Sequence, residues 1–302
     1  MEVQDALRAL GGAARWRVLR HHVGWRALKR ARADAQVVCH KGLWALVDSG
    51  RDRQLAADLL GVRSHATAAA HWGLALPPEE SEVVRLTLPP HANVKTRLPD
   101  ARLSYRRLDA AEHSGDVTTP LRTVVDCLRD ESLRVALSVG DSALRDGLVT
   151  HAELAAAVRG LRGKGAAVAR SRLPMLDGRA ANAFESCARA ILLEAGITGF
   201  RTQVSIRDSD GWIGRVDLAN RALHIVIECE GFETHGGRPA FVRDLVRFTS
   251  LVSAGWRPLR FTWEQVMFHP KWVARRVLAT IAEATGAPLP DRRAIRASGR
   301  AA

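Results

Sequence analysis

The spacing of apolar and polar positions changes several times along the chain, and each change marks an element. Residues 13–22, "AARWRVLRHH", carry apolar side chains at helical intervals and predict a short amphipathic helix. After a turn at Gly24, "WRALKRARAD" predicts a second helix bearing Arg26, Lys29, Arg30 and Arg32. "AQVVCHKGLWALV" then places two apolar runs around His40, Lys41 and Gly42, the pattern of a small hairpin. Helix, turn, basic helix and hairpin succeed one another in a winged helix-turn-helix, whose second helix enters the major groove. Residues 1–50 are expected to form that unit, with a merely solvated basic helix as the alternative.

Residues 51–165 read as a small mixed α/β unit. "RQLAADLLG" and "SHATAAAHWG" predict helices, "SEVVRLTLP" and "ARLSYRRL" strands, and "TPLRTVVDCLRD" a helix with Pro120 in its first turn. Thr150 and Glu153 make a capping box ahead of "HAELAAAVRGL". No catalytic constellation stands out here: His65 and His71, six residues apart, do not share a helical face and read as packing or polar-surface residues. Residues 166–182 are expected as a linker or loosely packed helix, and 291–302 as a disordered basic tail.

From 183 to 290 the pattern sharpens. "AFESCARAILLEAG" predicts a helix, "FRTQVSI", "IGRVDLA" and "ALHIVIECEG" three strands, "PAFVRDLVRFTSLVSAG" a helix opened by Pro239, "RPLRFT" a strand and "KWVARRVLATIAEAT" a closing helix. This order gives a mixed sheet flanked by helices.

Charge narrows the choice of partner. Among 302 residues, 45 Lys and Arg against 32 Asp and Glu leave a formal charge of +13, which favours an anionic polymer, DNA or RNA, over a neutral small molecule. A compositional bias toward arginine accounts for the same number without a partner. Cys39, Cys127, Cys187 and Cys229 form no CxxC pair, which argues against a zinc knuckle or a disulfide framework. With no run of 18 apolar residues and no signal-peptide pattern at the start, the protein is expected in the cytoplasm.

Against that basic background, "RVDLANRALHIVIECEGFETHG" (215–236) gathers acids at the end of its most apolar strand. Alternation puts Val226, Glu228 and Glu230 on one face and Ile225, Ile227 and Cys229 on the other. Two carboxylates roughly 6 to 7 Å apart repel by about 0.6 kcal/mol in water but about 2.5 kcal/mol at an effective dielectric near 20. A half-buried acid cluster therefore wants a proton or a cation, and oxygen ligands suit Mg²⁺. Arg215, Arg238, Arg243 and Arg247 are the neighbouring candidates for holding a polyanion. Geometry imposes a condition. A two-residue turn at Asn220–Arg221 would set Asp217 opposite His224, roughly 13 Å from Glu228, so a longer loop over about 219–224 or a bend is needed.

Two resemblances extend this reading. The first 47 residues, "SHATAAAHWGL", "TTPLRTVVDCLRD" and "LRDGLVTHAEL" resemble AbiEi-type antitoxins, which implies DNA binding. Glu185, Asp217 and Glu228-Cys229-Glu230, with "GFETH", "RDLVR" and "SAGWRPLRFTWEQV", resemble the PD-(D/E)XK nucleases, within them the very short patch repair endonuclease and related domains. The implied fold is α/β: a winged helix-turn-helix and small α/β unit, then a PD-(D/E)XK-like mixed sheet flanked by helices. The implied metal is Mg²⁺ or Mn²⁺, held by Asp217, Glu228, the Cys229 carbonyl and Glu185, with His235 as base or proton shuttle. Glu230 stands where the wider family has a lysine, with His235 or Arg243 as candidate substitutes. Arg26, Lys29, Arg30 and Lys41 are the implied DNA contacts of the N-terminal half. Double-stranded DNA is the expected partner, and a homo-oligomer or a toxin-antitoxin partner stays open. A non-catalytic regulator of the antitoxin type with a degenerate nuclease domain is the alternative function.

Overall fold

The computed structural model describes residues 2–40, 42–47, 49–78, 83–95, 98–230 and 238–288. Lys41, His235 and the segment 291–302 lie outside the described residues, as does the side chain of Arg238. The chain divides into two compact units, Met1–Asp130 with His151–Ala166, and Glu131–Thr150 with Ala167–Ala302. Both are mixed α/β. No helix among the described residues is long and apolar enough to cross a membrane.

The first unit opens with α1 (Val3–Ala9), β1 (Ala13–Arg15), α2 (Trp16–Leu19), α3 (Trp25–Ala33), β2 (Val37–His40) and β3 (Leu43–Leu46). The helix expected over 13–22 is therefore only one turn long. Its first three residues are drawn into an antiparallel sheet of order β1-β3-β2, with Ala13 paired to Ala45 and Arg15 to Leu43. Leu7, Leu19, Leu28, Val37 and Trp44 form the core beneath that sheet. Leu28 and Ala31 bury one face of α3, which leaves Arg26, Lys29 and Arg30 in solvent, the Lys29 ammonium 5.6 Å from the Trp25 ring centre.

The rest of this unit comprises α4 (Arg51–Leu59), β4 (Val62–Arg63), α5 (His65–His71), β5 (Val84–Leu88), β6 (Ala101–Tyr105), β7 (His113–Ser114), β8 (Val117–Thr118) and α6 (Pro120–Asp130). Its sheet runs β6-β5-β4-β8-β7, with β4/β8 and β5/β6 parallel and the other pairs antiparallel. After α7 (Leu133–Arg145), which belongs to the second unit, α8 (His151–Gly160) returns to the first.

In the second unit, α7 follows a Ser132 cap whose side chain accepts from the Val135 N–H, and it is buried over most of its circumference. Residues 166–182, read from sequence as a linker or loosely packed helix, hold α9 (Ala166–Arg172) and a 3-10 turn, with Ala169, Leu176 and Ala180 buried. Then come α10 (Ala183–Glu194), β9 (Arg201–Asp208), β10 (Gly211–Asn220), β11 (Ile225–Glu230), α11 (Arg238–Ser253), β12 (Arg257–Thr262), α12 (Trp263–Phe268) and α13 (Pro270–Thr285). The sheet order is β12-β11-β10-β9, with β11/β12 parallel and the others antiparallel. One face packs Leu218, Ile227 and Phe261 against Phe184, Cys187 and Val273 of α10 and α13. The other packs Val204, Ile206, Val216 and Val226 against Leu251 of α11 and Trp256.

The connection from β10 to β11 fixes the register. Residues 221–224 form the turn, the Asn220 side chain accepts from the Leu223 N–H at 3.1 Å, and Asn220 pairs with Ile225, Ala219 with Val226 and Leu218 with Ile227. The paired residues end at Leu218 and Ile227, and the next residues on the two strands are Asp217 and Glu228.

Candidate active site: acids converging on the mixed sheet

Three elements each contribute one carboxylate to a chain of neighbours. At the start of α10, Asn182 caps the Glu185 N–H at 3.0 Å, and the Glu185 side chain turns back to accept from the Ala181 N–H at 3.0 Å. Its Oε2 also accepts from Gln203 Nε2 at 2.9 Å, and the same amide lies 3.3 Å from Asp217 Oδ1. Gln203 thus bridges the helix acid and the strand acid. It does so from a backbone with φ of +52°, a left-handed conformation that costs a non-glycine residue of order 1 kcal/mol or more. The register of β9 and β10 is continuous across this point, yet Val216 and Leu218 lie in the cores on opposite sides of the sheet. The strand pair is wrung where the acids sit.

Asp217 Oδ2 accepts from the Cys229 N–H at 2.8 Å. Glu228, 8% exposed, is held by the Arg247 guanidinium, which also donates to the Arg215 carbonyl at 3.0 Å. Arg247 reaches it across Gly214, where a Cβ would stand 2.8 Å from Arg247 Nε. Burial is the largest influence on all three acids, and it pushes Glu185 and Asp217 above their ordinary values and Glu228 up to about 7. The donors offset this only in part: Ala181 for Glu185, Cys229 for Asp217 and Arg247 for Glu228. Burial also pushes the Cys229 thiol well up, so that side chain is a neutral packing group and only its backbone is available to a site.

Of the residues singled out from sequence, Glu185 neighbours Asp217 through Gln203 and Asp217 neighbours Glu228, but their oxygens do not close on a single point as the ligand atoms of His65, Asp126 and Asp130 do in the first unit. Glu230 belongs to a neighbouring ion-pair group, with Arg260 Nη2 2.6 Å from Glu230 and 2.6 Å from Asp244. Arg215 and Arg243 are exposed, and Arg243 lines a cleft beside α11 with Asp208, Trp212 and Val246. The three acids offer oxygen atoms only, as a hard divalent cation prefers. They are nevertheless held apart, Glu228 by Arg247 and Asp217 by the Cys229 N–H.

The first unit holds a second cluster, made of residues no motif connected. His65 is fully buried at the start of α5 with φ of +50°; its Nδ1 lies 2.8 Å from Ser64 Oγ and its Nε2 3.0 Å from Asp130 Oδ2. Ligand atoms of His65, Asp126 and Asp130 fall within 4.8 Å of one another, close enough to hold a metal ion, and this is the one such group among the described residues. Guanidiniums already occupy the space around it. Arg106 contacts both Asp130 oxygens and lies 3.5 Å from Asp126, while Arg122 Nε is 2.9 Å from Asp126 and its Nη1 2.7 Å from Glu112. Burial alone would raise the Asp130 carboxyl, but His65 and Arg106 hold it well below the usual range. Each acid has its cation without a metal.

No family model matches the chain. Two Mycobacterium tuberculosis proteins, "Uncharacterized protein MT2308" of strain CDC 1551 / Oshkosh and "Uncharacterized protein Rv2248" of strain ATCC 25618 / H37Rv, are each 31% identical to it over 226 residues, 74% of this chain and 77% of theirs. The chain belongs to their family. Because the match covers more residues than either compact unit contains, kinship within the Rv2248 family extends across both units. Sequence reading missed two kinds of residue in this family member. Gln203 sat unremarked in an ordinary strand pattern, and His65 was separated from Asp126 and Asp130 by some sixty positions. The i, i+4 spacing of the two aspartates on one helix was the only legible hint.

Proposed function

We propose that the second unit is a divalent-metal-dependent phosphodiesterase of the PD-(D/E)XK kind, acting on DNA that an N-terminal winged helix engages. The observation that carries this reading is the run of carboxyls from Glu185 through Asp217 to Glu228, each raised by burial, with Gln203 bridging the first two and the Arg247 guanidinium on the last. Asp217 and Glu228, with the Cys229 carbonyl, would hold Mg²⁺ or Mn²⁺, and Glu185 would join directly or through water. The ion, when bound, polarises a phosphate and lowers the pKa of an attacking water. The protein's own part is to position and to neutralise. Gln203 orients Asp217 and Glu185, Arg247 and Arg215 meet the phosphate, and His235, by the resemblance, takes the proton of the water. Purified protein should nick supercoiled plasmid with Mg²⁺ and not with EDTA, and Asp217→Ala and Glu228→Ala should abolish nicking. Equal nicking by all three proteins would assign the activity to a contaminant.

A second reading is favoured by the ion pairs themselves. Arg247 on Glu228, and Arg260 on Glu230 and Asp244, satisfy much of the acidic charge internally, as in a nuclease-like domain that only binds. That protein would be a non-catalytic DNA-binding regulator of the antitoxin type. It should shift DNA from its own promoter in EDTA, an effect weakened by Arg26→Ala with Arg30→Ala, and no metal should confer cleavage.

A further inference from the structure

The β9–β10 ribbon carries a surface of which the proposed chemistry uses only Arg215. Trp212 is 63% exposed, on a strand whose other face is packed into the core. The register sets Trp212 across from Arg207 and Arg215 across from Ser205. The register shifts between Trp212 and Gly214, but pairing through β9 puts Arg207, Ser205 and Arg215 on the side opposite Val204, Ile206 and Val216, with Trp212 beside Arg207 at the end of that face, where it also borders the cleft beside α11. Arg221 Nη2 donates to the Ser205 carbonyl at 2.8 Å and adds a third guanidinium to that strand. β9 is an edge strand of the sheet, so nothing in the sheet lies beyond it. Arg207, Arg215 and Arg221 are exposed, and among the described residues none of them forms an ion pair. The nearest acid along the ribbon, Asp208, has its Oδ1 engaged by the N–H groups of Asp210 and Gly211 in the hairpin turn.

This surface leads to the acids. The Arg215 charge is among the influences that lower Glu185, and Asp217 lies five positions after Trp212 on β10, roughly 16 Å at the rise of a strand. Unpaired guanidiniums beside an exposed indole match one chemistry well: phosphates for the cations and the π-face of an unpaired base for the ring. A duplex keeps its bases stacked on each other and offers the ring nothing, and an acidic peptide would use the cations alone.

We propose that this face of the β9–β10 ribbon is a docking track for single-stranded DNA, with a base stacked on Trp212 and the phosphates on Arg207, Arg215 and Arg221. The inference rests on the nuclease reading for the direction of the track, toward Asp217, but its test does not need cleavage. Full-length protein in EDTA is titrated into a fluorescein-labelled oligothymidylate, and anisotropy reports the affinity. Trp212→Ala should weaken binding roughly tenfold or more, and Trp212→Phe should keep most of it. With a strand bearing abasic sites the effect of Trp212→Ala should vanish. Arg207→Ala with Arg215→Ala should flatten the dependence of log affinity on log salt by about 1.4, two single-strand phosphate contacts. Unchanged affinity in Trp212→Ala, equal losses on normal and abasic strands, a Trp212→Ala loss as large on a duplex or on RNA of the same sequence, or a change of oligomeric state in place of affinity would each overturn the proposal. Since no metal is present, its failure leaves the plasmid assay untouched, and failure of the plasmid assay leaves this binding intact.

Discussion

Replacing Glu228 by glutamine asks the acid cluster whether it is short of positive charge. The carboxyl is pushed from an ordinary 4.5 to about 7, and at 1.36 kcal/mol per pH unit that difference is about 3 kcal/mol between its protonated and ionised states in the fold. The folded value lies above the unfolded one, so the native state binds the proton more tightly. The corresponding stability is fully present below about pH 4.5 and is lost as pH rises through about 7. Glutamine keeps the shape and stays neutral. Glu228→Gln should therefore match the wild type near pH 4.5 and exceed it by up to about 3 kcal/mol near pH 8 in EDTA, with other titrating groups cancelling in the comparison. Arg247, partly exposed, can turn to solvent and costs little when released. Adding Mg²⁺ near pH 8 should stabilise the wild type and leave the variant unmoved, by linkage to the state that binds the ion. Urea unfolding at the two pH values, with and without metal, measures all four quantities. A variant less stable than wild type by the same amount at both pH values would mean that Arg247 fully compensates the carboxylate, and the case for a cation there would fall.

Two further outcomes follow from the same geometry. Arg106→Ala strips the buried His65, Asp126 and Asp130 group of its shared cation and should cost about 3–5 kcal/mol in urea unfolding. In an Asp217→Ala background, Zn²⁺ should restore part of that loss in the variant and do nothing for its parent; stabilisation of the parent would refute an arginine-satisfied cluster. Gly214→Ala puts a methyl group 2.8 Å from Arg247 Nε and 3.2 Å from its Cδ, so the guanidinium must move off Glu228 while every charge is retained. Mg²⁺ binding by calorimetry should tighten several-fold, and weaker binding would show that Arg247 assists the ion instead of standing in for it.

The elements of the second unit were legible wherever one face was buried and the other was not. In "IVIECE" the alternation placed Val226 and Ile227 on opposite faces, and the two cores take them so. α7 escaped notice because it is buried nearly all round and carries Ser138, Gly140, Asp141 and Ser142 inside, so neither amphipathic spacing nor an apolar run marks it. β1 escaped because three residues become a strand only through pairing with β3, a long-range contact that local spacing cannot encode. α12 had a readable start in Thr262 and Gln265, which form a capping box. For the site, residue types were legible and their meeting was not. A two-residue turn and the four-residue turn at 221–224 are both compatible with "LANRALHI", and only the second sets Asp217 beside Glu228. Partners such as Gln203 and Arg260 follow from register and strand order, which single residues do not disclose.

That register also bears on the proposed nuclease reading, which would have a lysine at Glu230. β12 runs parallel to β11 with Arg260 paired to Glu228, and the Arg260 side chain reaches Glu230 and Asp244. Positive charge beside these acids is supplied from the adjacent strand and from α11, by the Arg260 and Arg247 guanidiniums. They leave the balance uneven. Arg247 and Arg260 face Glu228, Glu230 and Asp244, where the enclosed space is only about 10 Å³, room for roughly one water. Asp217 and Glu185 lie beyond their direct contacts, bridged by a neutral amide and raised by burial. The Asp217 side is therefore the less directly compensated, Arg247 and Arg215 acting on Asp217 and Glu185 only through space, and it is the side toward which the arginine face of the β9–β10 ribbon extends. A divalent cation would find its strongest attraction there, and a strand carried along the ribbon would meet it at Asp217.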